Sequence, residues 1–159
     1  MEILFRDSLQ TPIGFVRIAA DESGICSITF QSEPDIEPIP SRLTSQAIEQ
    51  LRSYFHGELR EFSLSLSPSG TAFEISVWNN LIHVPYASTC TYLDIAHRLN
   101  NPKAVRAVGR ANGTNPIAIV IPCHRVVGAD GSLVGYSGEL WRKRWLLDHE
   151  ARVAGTVLF

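Results

Sequence analysis

Apolar residues change their spacing several times along this 159-residue chain, and each change predicts an element. Residues 2–30 read as β-structure: Gly14 to Ala20 alternates loosely, Asp21-Glu22-Ser23-Gly24 is a turn, and Ile25 to Phe30 returns as the second arm of a hairpin. The segment from Ser32 to Pro40 is acidic and proline-rich, which predicts an irregular loop. From Ser41 to His56 the spacing becomes helical, with Leu43, Ala47, Ile48, Leu51, Tyr54 and Phe55 on one face and Gly57 as a stop. Phe62, Leu64 and Leu66 alternate with polar residues, which predicts a short strand over Glu61–Leu66. Ser67-Pro68-Ser69-Gly70 then breaks the chain into a half over 1–70 and a half over 71–159.

The second half reads as mostly helical. Thr71 and Glu74 form a capping box ahead of an apolar face of Phe73, Val77, Trp78, Leu81 and Ile82, ending near Val84-Pro85. Thr91 opens a short helix with Tyr92, Ile95, Ala96 and Leu99 on one side. Asn101, as N-cap, and Pro102 start another that stops at Asn112-Gly113, so the pair is a helix-turn-helix candidate. Its second helix offers Ala104, Ala107, Gly109 and Ala111 with Arg106 and Arg110 projecting. Such a surface suits close backbone contact rather than base reading, although small residues equally permit tight helix packing. Ile117 to Ile121 has the composition of a strand buried on both faces, stopped by Pro122. Asp130-Gly131 marks a turn, and a last helix runs from Glu139 to Glu150 with Leu140, Trp141, Trp145 and Leu147 as expected anchors.

Charge sharpens the division. The formal net charge of -2 gives no hint of nucleic acid, but residues 1–70 carry -5 and residues 71–159 carry +3. A basic half fits a local phosphate-facing patch, or else solvated helix faces. Three cysteines, Cys26, Cys90 and Cys123, at unrelated spacings argue against a disulfide framework and for a reducing, cytoplasmic compartment. No Cys-x-x-Cys or histidine cluster points to zinc, and no apolar run is long enough to span a bilayer.

Chemistry concentrates after Pro122, where Cys123, His124 and Arg125 follow one another. A lone cysteine is usually a small buried hydrophobe, but a thiol at the rim of an apolar core beside an imidazole is also a site for nucleophilic chemistry. Adjacent side chains diverge, so His124 would take the thiol proton most easily through a water. A soft thiolate suits displacement at saturated carbon, and the thioether formed resists water, so such a protein acts once per molecule.

The run Asn115-Pro116, five apolar residues, then Pro122-Cys123-His124-Arg125-Val126 closely resembles the signature of the O6-alkylguanine-DNA alkyltransferases, with likeness from about Thr71 to Glu150 and weaker likeness earlier. The resemblance implies a small α/β N-terminal unit (sheet plus helix) followed by a mainly α unit with a helix-turn-helix. It also implies repair of O6-alkylguanine in double-stranded DNA, from the minor groove, by a monomer without cofactor; some members of the family carry a zinc in their N-terminal portion, and this chain has no matching ligand set, so no metal is expected. Cys123 is then the acceptor, His124 its proton relay, Glu150 the carboxylate holding the imidazole, and Asn115 the brace beneath the cysteine. Tyr92 donates to the departing guanine. The carbonyls of Cys123 and Val126 read its amino group, Tyr136 and Ser137 line the O6 side, and Lys143 contacts the substrate loop. Arg106, Ala107, Arg110 and Arg125 form the DNA-binding set, with Arg106 filling the place of the extruded nucleotide. Where the family pattern has glycine, this chain has Ala87 and Glu139; if those glycines serve a positive φ, both side chains carry strain, and Glu139 adds charge near the pocket. Rival readings are a lesion sensor of the same fold, which would lack the acceptor cysteine, a helix-turn-helix regulator, and a cysteine hydrolase.

Overall fold

The structure, a computed structural model, describes residues 4–34, 37–136 and 138–156. The chain forms two compact units that divide between Ser69 and Gly70. No helix among the described residues is long and apolar enough to cross a membrane.

The first unit is a three-stranded antiparallel sheet with one helix. Strands β1 (Phe5–Thr11), β2 (Gly14–Ala20) and β3 (Ile25–Gln31) lie in the order β1-β2-β3. Central β2 buries Val16, Ile18, Ala19 and Ala20, and a register irregularity falls at Ala19–Ala20. The Asp21 carboxylate closes the β2–β3 turn by accepting from the amides of Ser23 (2.7 Å) and Gly24 (2.9 Å). Helix α1 (Arg42–Phe55) starts at a capping box between Ser41 and Thr44, and it buries Ala47, Leu51 and Tyr54 at the expected spacing. The strand expected over Glu61–Leu66 does not form. Only an isolated bridge joins Leu66 to Ile25, while the Gln50 side chain takes both the Ser63 amide (2.9 Å) and its carbonyl (3.2 Å). A side chain thus serves backbone groups that a ladder would have used. Beyond β3 the chain is irregular, with Asp35 and Ile36 outside the described residues and Ile39 pairing with Arg6.

The second unit is mainly helical. Helix α2 (Ala72–Leu81) has the Thr71–Glu74 capping box and buries Val77, Trp78 and Leu81, whereas Ile82 lies exposed just past its end. Strand β4 (Cys90–Thr91) leads into α3 (Tyr92–Arg98), which buries Ile95 and Ala96. Asn101 makes no side-chain cap; Pro102–Ala104 form a 3-10 turn, and α4 (Val105–Gly113) begins only after it. Helices α3 and α4 make the helix-turn-helix. Helix α5 (Leu140–Ala154) departs from expectation at its start, because Leu140 and Trp141 are 47% and 51% exposed. Its inward stripe is Lys143, Leu146, Leu147 and Glu150, a helical spacing hidden in sequence by its two ionisable members.

The largest correction concerns Ile117–Ile121. These residues are buried as expected, yet they form a tight turn and not a strand: Ile121 N–H donates to Ile117 O (3.0 Å) and Val120 N–H to Ala118 O (2.8 Å). Ile119 sits at φ +72°, a costly place for a β-branched residue. A short apolar run fixes burial without fixing the element. The two-residue strand β5 (Val126–Val127) follows and pairs in parallel with β4.

Candidate active site

Cys123 opens a 3-10 turn over Cys123–Arg125, directly after the apolar turn. Asn115 holds that turn from beneath. Its Nδ2 donates to Ile121 O (2.8 Å) and Ile117 O (3.4 Å), and its Oδ1 accepts from Ile117 N–H (3.0 Å). The backbone leading to the cysteine is therefore pinned by one amide side chain. Cys123 is 3% exposed. Burial pushes its thiol up, against smaller opposing effects of Asn115 and the Lys143 ammonium, so the sulfur rests protonated and needs a base to react.

His124 and Arg125, the other two members of the turn, both point at Glu150 of α5. His124 Nε2 lies 2.7 Å from Glu150 Oε2. Arg125 is bidentate on the same carboxylate, Nε at 2.9 Å and Nη2 at 3.0 Å, and its Nη1 donates to Val84 O at 2.7 Å. The Ala87 amide adds a fourth donor at 3.1 Å. Burial alone would raise the Glu150 carboxyl, but these partners overcome it and hold the group well below the usual carboxylate range. Burial also lowers His124 more than its carboxylate raises it, so the ring is a neutral imidazole. A carboxylate on Nε2 fixes that ring proton there, leaving Nδ1 as the basic nitrogen. That nitrogen is buried and has no hydrogen-bond partner among the described residues, the Cys123 thiol included.

Arg125 consequently cannot serve the DNA-binding role expected of it: 6% exposed and spent on Glu150, it is an internal counter-charge. Ala87, which donates the fourth bond, has φ +59°, and Glu139 has φ +75°, so both positions where the family pattern has glycine do adopt the left-handed region.

A second cluster gathers around the Val134 carbonyl. Tyr92, at the start of α3, donates its hydroxyl to Val134 O at 2.8 Å, and the fully buried Lys143 donates its Nζ to the same oxygen at 2.8 Å. Burial lowers Lys143 to about 8, an effect opposed by the proximity of Cys123. Tyr92 is raised by burial and then by Cys123, which places both groups within electrostatic reach of the sulfur. Gly135, at φ +67°, passes so close that a Cβ there would lie 3.0 Å from the Tyr92 oxygen. Tyr136 is buried, and burial followed by Cys123 pushes its phenol well up. Val126 is buried beside the turn, and Ser137 lies outside the described residues.

On α4, Arg106 and Arg110 are exposed and Ala107 is half-buried, as the small-residue pattern implied, while Ala111 is buried and its carbonyl accepts from Trp78 Nε1 at 2.8 Å. An open cleft of about 350 Å³ runs along this helix, lined by Gly109, Gly113, Gly135, Tyr136 and Leu140. Sequence patterns gave no role to Asn112. Its Nδ2 donates to Cys123 O at 3.4 Å, and the signal was present: Val108, Ala111 and Asn112 have the spacing of a buried helix face. Nothing in residue type could mark the Val134 carbonyl, because a backbone acceptor has no sequence identity.

The likeness to known proteins spans both units. Residues 4–68 match the 6-O-methylguanine DNA methyltransferase ribonuclease-like domain, and residues 72–152 match the DNA binding domain of the same enzymes. A methylated-DNA–protein-cysteine methyltransferase of Methanosarcina acetivorans is 45% identical over 147 residues, covering 89% of this chain and 94% of the relative. The crystal structure of Mycobacterium tuberculosis O6-methylguanine methyltransferase aligns with a TM-score of 0.83 at 41% identity, covering 91% of each chain. Mycobacterium tuberculosis OGT in complex with DNA aligns at 0.86 with the same identity, covering 94% of each chain. Matched in both halves and along nearly its full length, the chain belongs to the methylated-DNA–protein-cysteine methyltransferase family.

Proposed function

We propose that the protein repairs DNA by moving an alkyl group from O6 of guanine onto Cys123, once per molecule. The observation that carries this reading is the neutral His124, its proton fixed on Nε2 by Glu150 and its Nδ1 unpartnered, next in sequence to a buried thiol within the family's signature. Similarity to an enzyme crystallised with DNA supports DNA as the partner.

The target atom lies inside the duplex, so the nucleotide is extruded at a cost of roughly a few kcal/mol. Exposed Arg106 and Arg110, on a helix with Ala107 and Gly109 at its surface, suit a minor-groove approach in which Arg106 fills the vacated stack. His124 Nδ1 takes the thiol proton through a water. The sulfur then attacks the alkyl carbon; the S–C bond forms as the C–O6 bond breaks, and the bonding pair stays on guanine. Tyr92 gives the departing base a proton and recovers one by way of His124, so the thiol hydrogen ends on guanine and no oxidant is consumed. Tyr92 now donates to Val134 O, and serving the base requires it to exchange that acceptor. Asn115 fixes the nucleophile's backbone, and Tyr136 with Ser137 lines the O6 side. Lys143 holds the segment before them through Val134 O. We place the protein in the cytoplasm as a monomer.

The test is stoichiometric. With a molar excess of duplex carrying O6-methylguanine, restored guanine should stop at one per protein chain. Continued turnover would favour a hydrolase, and tight binding with no restored guanine would favour a sensor.

A further inference from the structure

Arg125 turns every donor arm inward, and the scheme above gives it no part in the reaction. Its Nε and Nη2 lie 2.9 and 3.0 Å from the two oxygens of Glu150, and its Nη1 donates to Val84 O at 2.7 Å. His124 Nε2 meets the same carboxylate at 2.7 Å. Arginine, glutamate and histidine are 6%, 0% and 0% exposed, so solvent does little to screen their charges from one another.

A buried carboxylate that faces an imidazole alone favours a second proton on the ring, because the imidazolium–carboxylate pair is then neutral as a whole. Here the guanidinium already supplies the positive charge. With Arg125 cationic, Glu150 anionic and His124 neutral, the three sum to zero. A second ring proton would leave the group positive, within reach of the buried Lys143 ammonium. The charges acting on the ring come from Glu150 and Lys143 on α5 and from Arg125 in its own turn, while the Cys123 thiol is uncharged at rest. Both cations oppose the extra proton. We propose that Arg125 is a positioning residue for the transfer: by taking Glu150 as its own counter-ion, it leaves Nδ1 of His124 unprotonated and able to receive the Cys123 hydrogen. The assignment rests on the proposed function and adds to it a lower limit in pH, set by a residue that acts through another.

The experiment follows single-turnover methyl transfer to Cys123 against pH, at saturating O6-methylguanine duplex. It compares wild type with Arg125→Met, which removes the charge, and Arg125→Lys, which keeps it without the fork. The wild-type rate should hold down to about pH 6, below the ordinary imidazole value. In Arg125→Met the acid limb should move up by about one to two pH units, making transfer roughly tenfold slower at about pH 6.5 with most of the loss recovered at about pH 8.5. Arg125→Lys should bring the limb back to within about half a unit of wild type. A loss equal at every pH in the methionine variant, an acid limb that does not move, or no rescue by lysine would overturn the assignment. If the methionine variant fails to fold, the lysine variant and the ring-nitrogen NMR shifts of His124 in the wild type decide: an imidazolium at about pH 7 overturns the assignment, and a neutral ring with its proton on Nε2 supports it. A wild type that never methylates Cys123 would instead refute the proposed function, and the His124 shifts would still report the state of the ring.

Discussion

Two regions of the second unit carry cations of opposite fate. On α4, Arg106 and Arg110 stand in solvent. Beneath the cysteine, Arg125 and Lys143 are buried, one bidentate on Glu150 and the other on the Val134 carbonyl. All four belong to the half whose sequence is net positive. Charge counting therefore overstates the phosphate-facing surface. Of these four, two hold the surroundings of the cysteine in shape, and the α4 pair stands in solvent where it can meet a backbone of phosphates.

Removing a buried cation should do the most damage. Arg125→Ala leaves Glu150 buried with its two arginine bonds gone, and denaturant unfolding should show a loss of about 3–5 kcal/mol. A loss below about 1 kcal/mol would class Arg125 with surface ion pairs and erase the contrast.

Lys143 sharpens the comparison through pH. Its ammonium is lowered from 10.5 to about 8 on folding, so below pH 8 it is charged in both states and the burial cost is fully present. Between about pH 8 and 10.5 the unfolded chain binds the extra proton, and stability should rise by about 3 kcal/mol. Lys143→Met should remove that rise in parallel melts, and an identical slope in the two proteins would contradict burial of the charge.

Strain offers a smaller, stabilising change. Glu139 holds φ +75° and ψ 144° just ahead of α5, a region natural to glycine. Glu139→Gly should raise stability by roughly 1 kcal/mol, even though it removes the Trp141 Nε1 bond to the Glu139 carboxylate. A lower melting temperature would mean that this exposed bond outweighs the strain.

Arg106→Ala closes the series with stability unchanged within about 0.5 kcal/mol. Its effect should appear only in function: slower repair of duplex DNA, with reaction toward free O6-benzylguanine preserved. Equal losses on both substrates would remove α4 from the DNA-facing role.

What sequence made legible follows from where each fold decision is taken. Capping boxes at Ser41, Thr71 and Thr91 are local chemistry, and all three form. The expectation for Ala87 and Glu139 also held, because a glycine pattern reports backbone conformation directly. Ile117–Ile121 was legible as buried but not as a turn, since the deciding bonds come from Asn115. Arg125 was misplaced for a similar reason: its partner lies 25 residues away, and nothing in the Cys-His-Arg triplet says that Glu150 will receive two of its members. The first turn of α5 failed because Leu140 and Trp141 look like anchors, yet the inward stripe begins at Lys143.

The account stands most directly on where the alkyl group ends. After incubation with O6-methylguanine duplex, peptide-resolved mass spectrometry should find one methyl per chain, on the peptide holding Cys123, with Cys26 and Cys90 unmodified and no label in Cys123→Ala. Guanine restored while Cys123 stays unmodified, or methyl carried on Cys90 or Cys26, would contradict it.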